Sequence, residues 1–582
     1  MRRLMRFFEH YKMQALVAPL FKLLEALMNL LVPLVVAKII DDGIAVADKG
    51  VIFGNYTILV VLAIAGMIFS FIAQWFAANA SVGFTTEMRQ ALFDHIESLS
   101  YSELDKLGTN TLITRMTSDT NQIQNGINLT LRLLLRSPFI VFGSMILAFT
   151  ISIKEAMIFV VAVPLLSVAV FSIMLVSIPL FKKSQAALDK LTGLTRENIT
   201  GVRVIRAFCR EEDEITAFDE ANDSLTKVNE TVGRLSALMN PVTYVIINIA
   251  TIALINSGAK LVDAGGLGQG DVVALYNYMA QIIIELIKLA SLIITINKSL
   301  ACANRVADIF DIKSSMAYPE TSGSNDISTE NTAAVEFSDV SFSYNDSSEY
   351  AIEHISFTAR PGETIGIIGG TGSGKSTLVN LISRFYDASE GSISIDGKDV
   401  RSYPDGAVTD KIGEVPQKSV LFKGTIRDNL LWGNKDADDD TLWEAIRTAQ
   451  AEDVVNKKEG KLEAMIEQGG RNLSGGQKQR LAIARALVKK PEILIMDDSA
   501  SALDFATDLA LRQAVRKMEG KMTIFIVSQR ASSIKNADRI LVLDDGKLAG
   551  SGTHEELMKD CDVYKEIYYS QFPEEKPDGK EA

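Results

Sequence analysis

From Ala156 to Phe181, and again from Leu235 to Ala259, the chain carries no charged residue at all. A helix needs about 20 mostly apolar residues to cross the hydrocarbon of a bilayer, and charge-free runs of that length have few other uses. Four further stretches of the same kind stand near 14–40, 57–80, 133–153 and 272–297, which with 156–180 and 236–259 makes six candidate spans. All of them lie before residue 300; beyond it come strand-like alternation and glycine-rich turns. A chain of 582 residues exceeds one compact core. The expected organisation is a six-helix α membrane domain over 1–312, a polar linker over 313–332, a soluble α/β domain over 333–572 and a tail over 573–582.

Basic residues orient the spans. Arg2, Arg3, Arg6 and Lys12 precede the first span, and Arg89, Lys182, Lys183, Lys227, Arg234, Lys298 and Arg305 flank other ends on that side; the opposite side offers chiefly Lys49, Lys154 and Lys260. The positive-inside bias therefore predicts cytoplasmic termini in a multi-pass membrane protein. The N-terminal MRRLMRFFEHYK reads as an interfacial helix, since no small-residue cleavage site follows it. The inward connections, about 81–132 and 182–235, are long and helix-compatible, so spans two to five are expected to continue beyond the bilayer.

Several polar side chains fall inside the spans: Lys22, Glu25, Asn248, Tyr276, Asn277, Gln281, Glu285 and Lys288. Lys22/Glu25 and Glu285/Lys288 are spaced i, i+3, so each pair shares a helix face and can neutralise itself. Such residues fit either a wet substrate path or helix-to-helix contacts. A net charge of −13 without a basic block argues against nucleic acid as a partner. The three cysteines, Cys209, Cys302 and Cys561, have neither disulfide nor zinc spacing and read as reduced cytosolic thiols.

The soluble half carries the chemistry. ETIGIIGGTGSGKSTLVNLI supplies strand, glycine-rich loop and helix in that order, and Gly369, Gly370, Thr371, Gly372, Ser373, Gly374, Lys375 and Ser376 fit GxxxxGK[ST], with Thr377 next in line. Glycines let backbone N–H groups close around phosphates at a helix N-terminus; Lys375 reaches the β and γ phosphates and the Ser376 hydroxyl ligates Mg²⁺. Ile493 to Met496 read as a buried strand, and Asp497 at its end is placed to hold Mg²⁺, directly or through water. Between them, RNLSGGQKQRLAIARAL sets Ser474, Gly475 and Gly476 before an amphipathic helix, a second helix N-terminus able to take a phosphate. One ATP cannot easily touch both loops of a single chain, so a facing copy or relative is expected to complete the site.

The combination GGTGSGKS, VPQKSVLF, LSGGQ, ILIMDD and SALD resembles the ATP-binding cassette family, and with six spans ahead of it the chain from about 1 to 570 resembles an ABC exporter half-transporter. LGTNTLITRMTSDTNQIQ (107–124) and ENITGVRVIRAFCREEDEITAFDEAN (197–222) are similar to that family's cytoplasmic coupling regions. The resemblance implies that Tyr344 stacks on adenine, that Gln417 senses Mg²⁺ and couples to the membrane domain, that Ser474 to Gln477 clasp the partner's ATP, and that Asp504 organises the dimer interface.

Two positions depart from the family's pattern. Glu is expected after the Mg²⁺-binding Asp, and His at the end of a later strand; here stand Asp498 and Gln529. Asp holds its carboxylate one methylene further back, and a lost general base costs about 10²–10⁴-fold in rate. Gln529 can donate a hydrogen bond but carries neither the charge nor the proton of imidazole. The signature loop is intact and serves the facing chain. The pattern resembles the degenerate-site subunit of bacterial heterodimeric multidrug exporters, which implies a second, different half-transporter as partner. Cargo stays open among drugs, lipids, hydrophobic peptides and other amphiphiles. A homodimeric lipid flippase or peptide exporter, and a membrane ATP sensor without cargo, are the alternatives.

Overall fold

The computed structural model describes residues 4–319, 332–344, 349–499, 502–518 and 522–576. Most of the expected linker and the end of the expected tail lie outside them. The chain divides into two compact units, Met1–Glu97 with Thr109–Ile312, and Ser98–Gly108 with Lys313–Ala582.

In the first unit six long helices each contain a window apolar enough to cross a membrane: α1 (Leu4–Ile44), α2 (Lys49–Glu97), α3 (Thr109–Ile151), α4 (Ile153–Ala207), α5 (Glu211–Asp263) and α6 (Gln269–Asp311). Each expected span falls on one of them. The first turns of α1, Leu4–Tyr11, are 3-10 helix with Leu4 and Phe7 buried. With 49, 55 and 53 residues, α2, α4 and α5 measure roughly 73–83 Å at 1.5 Å per residue. That is more than twice a hydrocarbon thickness of about 30 Å, so these helices extend well past any membrane.

Glu25 and Glu285 join helices to one another, whereas Asn277 bonds back to the Val273 carbonyl of its own helix. Lys22 bonds Glu25 within α1, and Lys288 bonds Glu285 within α6 at 3.0 Å. Between the two pairs stands Arg136 of α3, 2.6 Å from Glu285 and 3.8 Å from Glu25, while the neighbouring Ser137 hydroxyl donates to the second Glu285 oxygen at 2.7 Å. Arg136, at the edge of its span, was not singled out by the sequence pattern, yet it ties α1, α3 and α6 together.

The second unit is α/β. Its strands are β1 (Val335–Phe342), β2 (Ile352–Ala359), β3 (Thr364–Gly369), β4 (Glu390–Ile395), β5 (Lys398–Asp399), β6 (Ile412–Val415), β7 (Gly424–Thr425), β8 (Met465–Ile466), β9 (Ile493–Asp497), β10 (Thr523–Val527), β11 (Arg539–Asp544) and β12 (Lys547–Gly552). One sheet runs β2-β1-β4-β5 and is antiparallel; the main sheet runs β12-β11-β3-β10-β9-β6 and is parallel except for β12. Every residue of β3, β9 and β10 is buried, which is why TIGIIG, ILIMD and TIFIV are apolar without alternation. In such sheets ligands sit beyond the carboxyl ends of the strands. β3, β10 and β9 are adjacent, so the loops that follow Gly369, Val527 and Asp497 emerge side by side.

The short helix Tyr101–Leu107 belongs to this unit. Its Tyr101 ring lies 4.6 Å from Phe385, and its Asp105 accepts from the Tyr386 hydroxyl at 2.6 Å.

Candidate nucleotide site

The loop after β3 is shaped by positions that only glycine tolerates. Gly372 and Gly374 have φ of +84° and +90°, the left-handed region that costs other residues roughly 1–2 kcal/mol. A Cβ on Gly374 would also lie 2.6 Å from Ile352 Cγ2, and one on Gly369 2.1 Å from the Leu543 carbonyl. The chain then enters helix α7 (Lys375–Ile382), whose N-cap, Gly374, offers no side chain to the first N–H groups. Those donors, with the positive end of the helix dipole, suit an anion. Lys375 is buried, and its ammonium donates to the carbonyls of Gly369, at 3.0 Å, and Gly370. Burial lowers its pKa, against the opposing pull of Asp497 and Asp498.

Asp497 closes β9 and is buried, which raises its carboxyl above the usual range; the Asp498 charge adds to this, while the Ser376 hydroxyl and Lys375 oppose it. The Asp497 carboxylate and the Ser376 hydroxyl are oxygen donors of the kind a hard divalent cation takes, while the Lys375 ammonium beside them suits a phosphate instead. Asp498 is also raised, chiefly by burial, and the Gln417 side chain hydrogen-bonds its carboxylate. Its backbone lies at φ +45°, with its N–H donating to the Val527 carbonyl at 3.0 Å. Aspartate is among the few side chains found in that region with any frequency.

These groups line one cavity of about 370 Å³ that holds Tyr344, Thr371, Gly372, Gly374, Lys375, Ser376, Thr377, Gln417, Asp497, Asp498 and Gln529. The Tyr344 hydroxyl is 2.9 Å from Thr377 Oγ1, and its ring meets Tyr386 edge-on at 5.2 Å. Ser474, Gly475, Gly476, Gln477 and Asp504 are not part of this lining. Ser474 and Gln477 form a capping box on helix α8 (Gly475–Val488), and Gly476 sits so near Ala502 that a Cβ would be 2.9 Å from its carbonyl. Asp504 caps helix α9 (Phe505–Arg516), taking bonds from the Thr507 N–H and hydroxyl, both at 2.9 Å, that hold its carboxyl below the ordinary range.

Two groups near the site escaped the sequence pattern. Glu414 of β6 accepts from Ser383 at 2.6 Å, and its carboxyl is pushed up to about 7, first by burial and further by Asp497. The signal was present, a lone acid inside the apolar strand IGEV. Gln571, 42 positions beyond Gln529, bonds the Gln529 carbonyl, and nothing in its local sequence announces it.

Comparison with known proteins agrees with this architecture. Residues 15–286 match the ABC transporter transmembrane region and residues 352–501 match the ABC transporter domain. An uncharacterized ABC transporter ATP-binding protein of Mycobacterium tuberculosis is 36% identical over 560 residues, 95% of each chain. The chain belongs to the ABC transporter family. YfiB of Bacillus subtilis, also described as an uncharacterized ABC transporter ATP-binding protein, is 34% identical over 99% of both chains. The ATP-dependent lipid A-core flippase of Desulfotalea psychrophila is 32% identical over 83% of this chain and 84% of its own. A bacterial Atm1-family ABC exporter solved with ATP bound shares the fold, with a TM-score of 0.78 and 23% identity over 98% and 99% of the two chains. This ABC transporter thus joins a six-helix membrane domain of exporter fold to an α/β ATP-binding cassette and couples ATP hydrolysis to transport.

Proposed function

We propose that this chain is one half of a heterodimeric exporter of drugs or other amphiphiles, set in the plasma membrane with both termini cytoplasmic, and that its own nucleotide site holds ATP but hydrolyses it slowly. The observation that carries this reading is the meeting of Asp498 and Gln529 around one cavity. Lys375 and the α7 N-terminus hold the β and γ phosphates, Tyr344 stacks on adenine, and Ser376, Asp497 and Gln417 hold Mg²⁺, which neutralises phosphate charge. Asp498 stands where a longer carboxylate would orient the attacking water, and Gln529 gives the γ-phosphate a hydrogen bond but no proton. The intact Ser474–Gln477 loop and Asp504 serve the facing subunit, whose site turns over. Binding of ATP across both cassettes supplies the differential affinity that shifts the membrane domain between its accessible states.

Turnover of Mg-ATP tests this, measured for the chain alone, for the chain with a candidate partner half-transporter, and for an Asp498→Glu plus Gln529→His variant. Low activity alone, high activity in the pair and a gain in the variant are expected. Brisk turnover by the lone chain, unchanged by the double substitution, would remove the asymmetric mechanism. A homodimeric lipid flippase is the second reading, favoured by the 32% identity to the lipid A-core flippase. Cargo-dependent stimulation by lipids rather than drugs would select it.

A further inference from the structure

The short helix after Gln529 begins without a cap of its own. It runs Ala531–Ile534, and its N-cap, Arg530, makes no side-chain bond to it. The first N–H groups of a helix require a partner from outside. Gln571, the last residue of the helix Asp562–Gln571, provides it: its Oε1 accepts from the Ala531 N–H at 2.9 Å, and its Nε2 donates to the Gln529 carbonyl at 2.7 Å. One planar amide therefore grips the main chain on both sides of Arg530. The orientation of that amide follows from its partners, since an N–H needs the oxygen and a carbonyl needs the NH₂.

The far end of the same short helix is held by the same support. Lys535, its C-cap, donates to the Tyr568 hydroxyl at 2.7 Å, and that hydroxyl donates to Glu575, also at 2.7 Å. Tyr564 and Tyr568 are fully buried, so the helix Asp562–Gln571 is anchored in the core. Gln571 itself is exposed. Its contribution is the two bonds rather than packing.

We propose that Gln571 is a positioning residue for the nucleotide site, fixing the main chain at Gln529 so that the Gln529 side chain faces the cavity where the γ-phosphate sits. This rests on the reading of Gln529 given above. A glutamine at that place acts only by a hydrogen bond, and the worth of such a bond in a reaction depends on its being held in place beforehand. Loosening the backbone grip should cost rate without costing affinity.

The test is a double-mutant cycle on the full chain, with any partner subunit it needs made unable to hydrolyse ATP at its own site, so that the slow hydrolysis measured is that of this chain's cavity. Single-turnover hydrolysis of Mg-ATP, the Kd of a fluorescent ATP analogue and the melting temperature are measured for the parent protein, Gln571→Ala, Gln529→Ala and the double variant. Gln571→Ala is expected to slow hydrolysis about three- to tenfold, with Kd and melting temperature unchanged and no further effect once Gln529 is alanine. Gln571→Glu keeps an acceptor for the Ala531 N–H but turns a second acceptor on the Gln529 carbonyl, so it should slow hydrolysis as much while preserving the fold. An equal loss in both backgrounds, a change in Kd instead of rate, or no change at all would overturn the proposal. In each of these the nucleotide-site reading survives if the parent protein binds the analogue; a parent that does not bind it removes both.

Discussion

Replacing Glu414 by Gln should turn the pH dependence of stability into a direct report on this buried acid. Glu414 is on β6, beside β9, and burial, then the Asp497 charge, push its carboxyl from 4.5 up to about 7 despite the bond from Ser383. Staying charged in the folded state therefore costs at most about 3 kcal/mol. The unfolded chain releases this proton near 4.5 and the folded chain near 7, so between those values the folded state binds more protons and stability falls as pH rises. Above about pH 7 the loss is complete and constant. Gln cannot ionise and can still accept the Ser383 bond. The difference in stability, E414Q minus parent, should be about 0.8 kcal/mol at pH 5, already above the unfolded value of 4.5, and climb to about 3 kcal/mol by pH 8, roughly 6–12 °C in melting temperature for a domain of this size. Thermal unfolding of the nucleotide-free protein, followed from pH 5 to 8 in one detergent, measures it, and taking the difference removes the titration of groups not coupled to Glu414. A difference that is flat with pH, or largest at pH 5, would refute the reasoning.

Arg136→Ala leaves Glu285, whose side chain is 5% exposed, with Lys288 at 3.0 Å as its remaining cation; the cost should stay below the about 3–5 kcal/mol of a buried charge stripped of its partner. It should appear as lost monodisperse protein that Glu285→Gln partly restores. Tyr344→Phe removes only the hydroxyl bond to Thr377 and should weaken binding of a fluorescent ATP analogue by at most about tenfold, about 0.5–1.4 kcal/mol; Tyr344→Ala, which removes the ring, should weaken it more. Gly374→Ala meets both the φ of +90° and the 2.6 Å contact with Ile352, and should abolish analogue binding, whereas Gly201→Ala, with nothing within 4 Å, should leave it intact.

The parts of this molecule that were legible beforehand are those whose physics is local. A span must be apolar along its whole length, so six helices could be counted from six runs. A phosphate loop needs glycines at fixed offsets from a lysine and a helix, so Gly369 to Ser376 could be placed one by one. The i, i+3 pairs Lys22/Glu25 and Glu285/Lys288 followed from helix geometry alone. What remained hidden depends on residues far apart in the chain. Arg136 reaches Glu285 across 149 positions, and no periodicity in either segment encodes that meeting. Asp498 looked like a shortened glutamate; the structure adds that it occupies a left-handed backbone position, where its short side chain is at less cost than a longer one would be. Asp504, expected at a dimer interface, shows within one chain a second occupation as a helix cap.

Composition and spacing by themselves determined that this chain crosses a membrane six times and carries a phosphate-binding loop, because hydrocarbon demands continuous apolar helices and phosphates demand bare N–H groups. They also placed two unusual residues, Asp498 and Gln529. Only the tertiary structure decided that those two share a cavity, that Glu414 holds its proton up to about pH 7, and that Gln571 grips the chain beside Gln529. Each of these is set by burial and by contacts between distant segments, quantities that exist only once the chain has closed on itself.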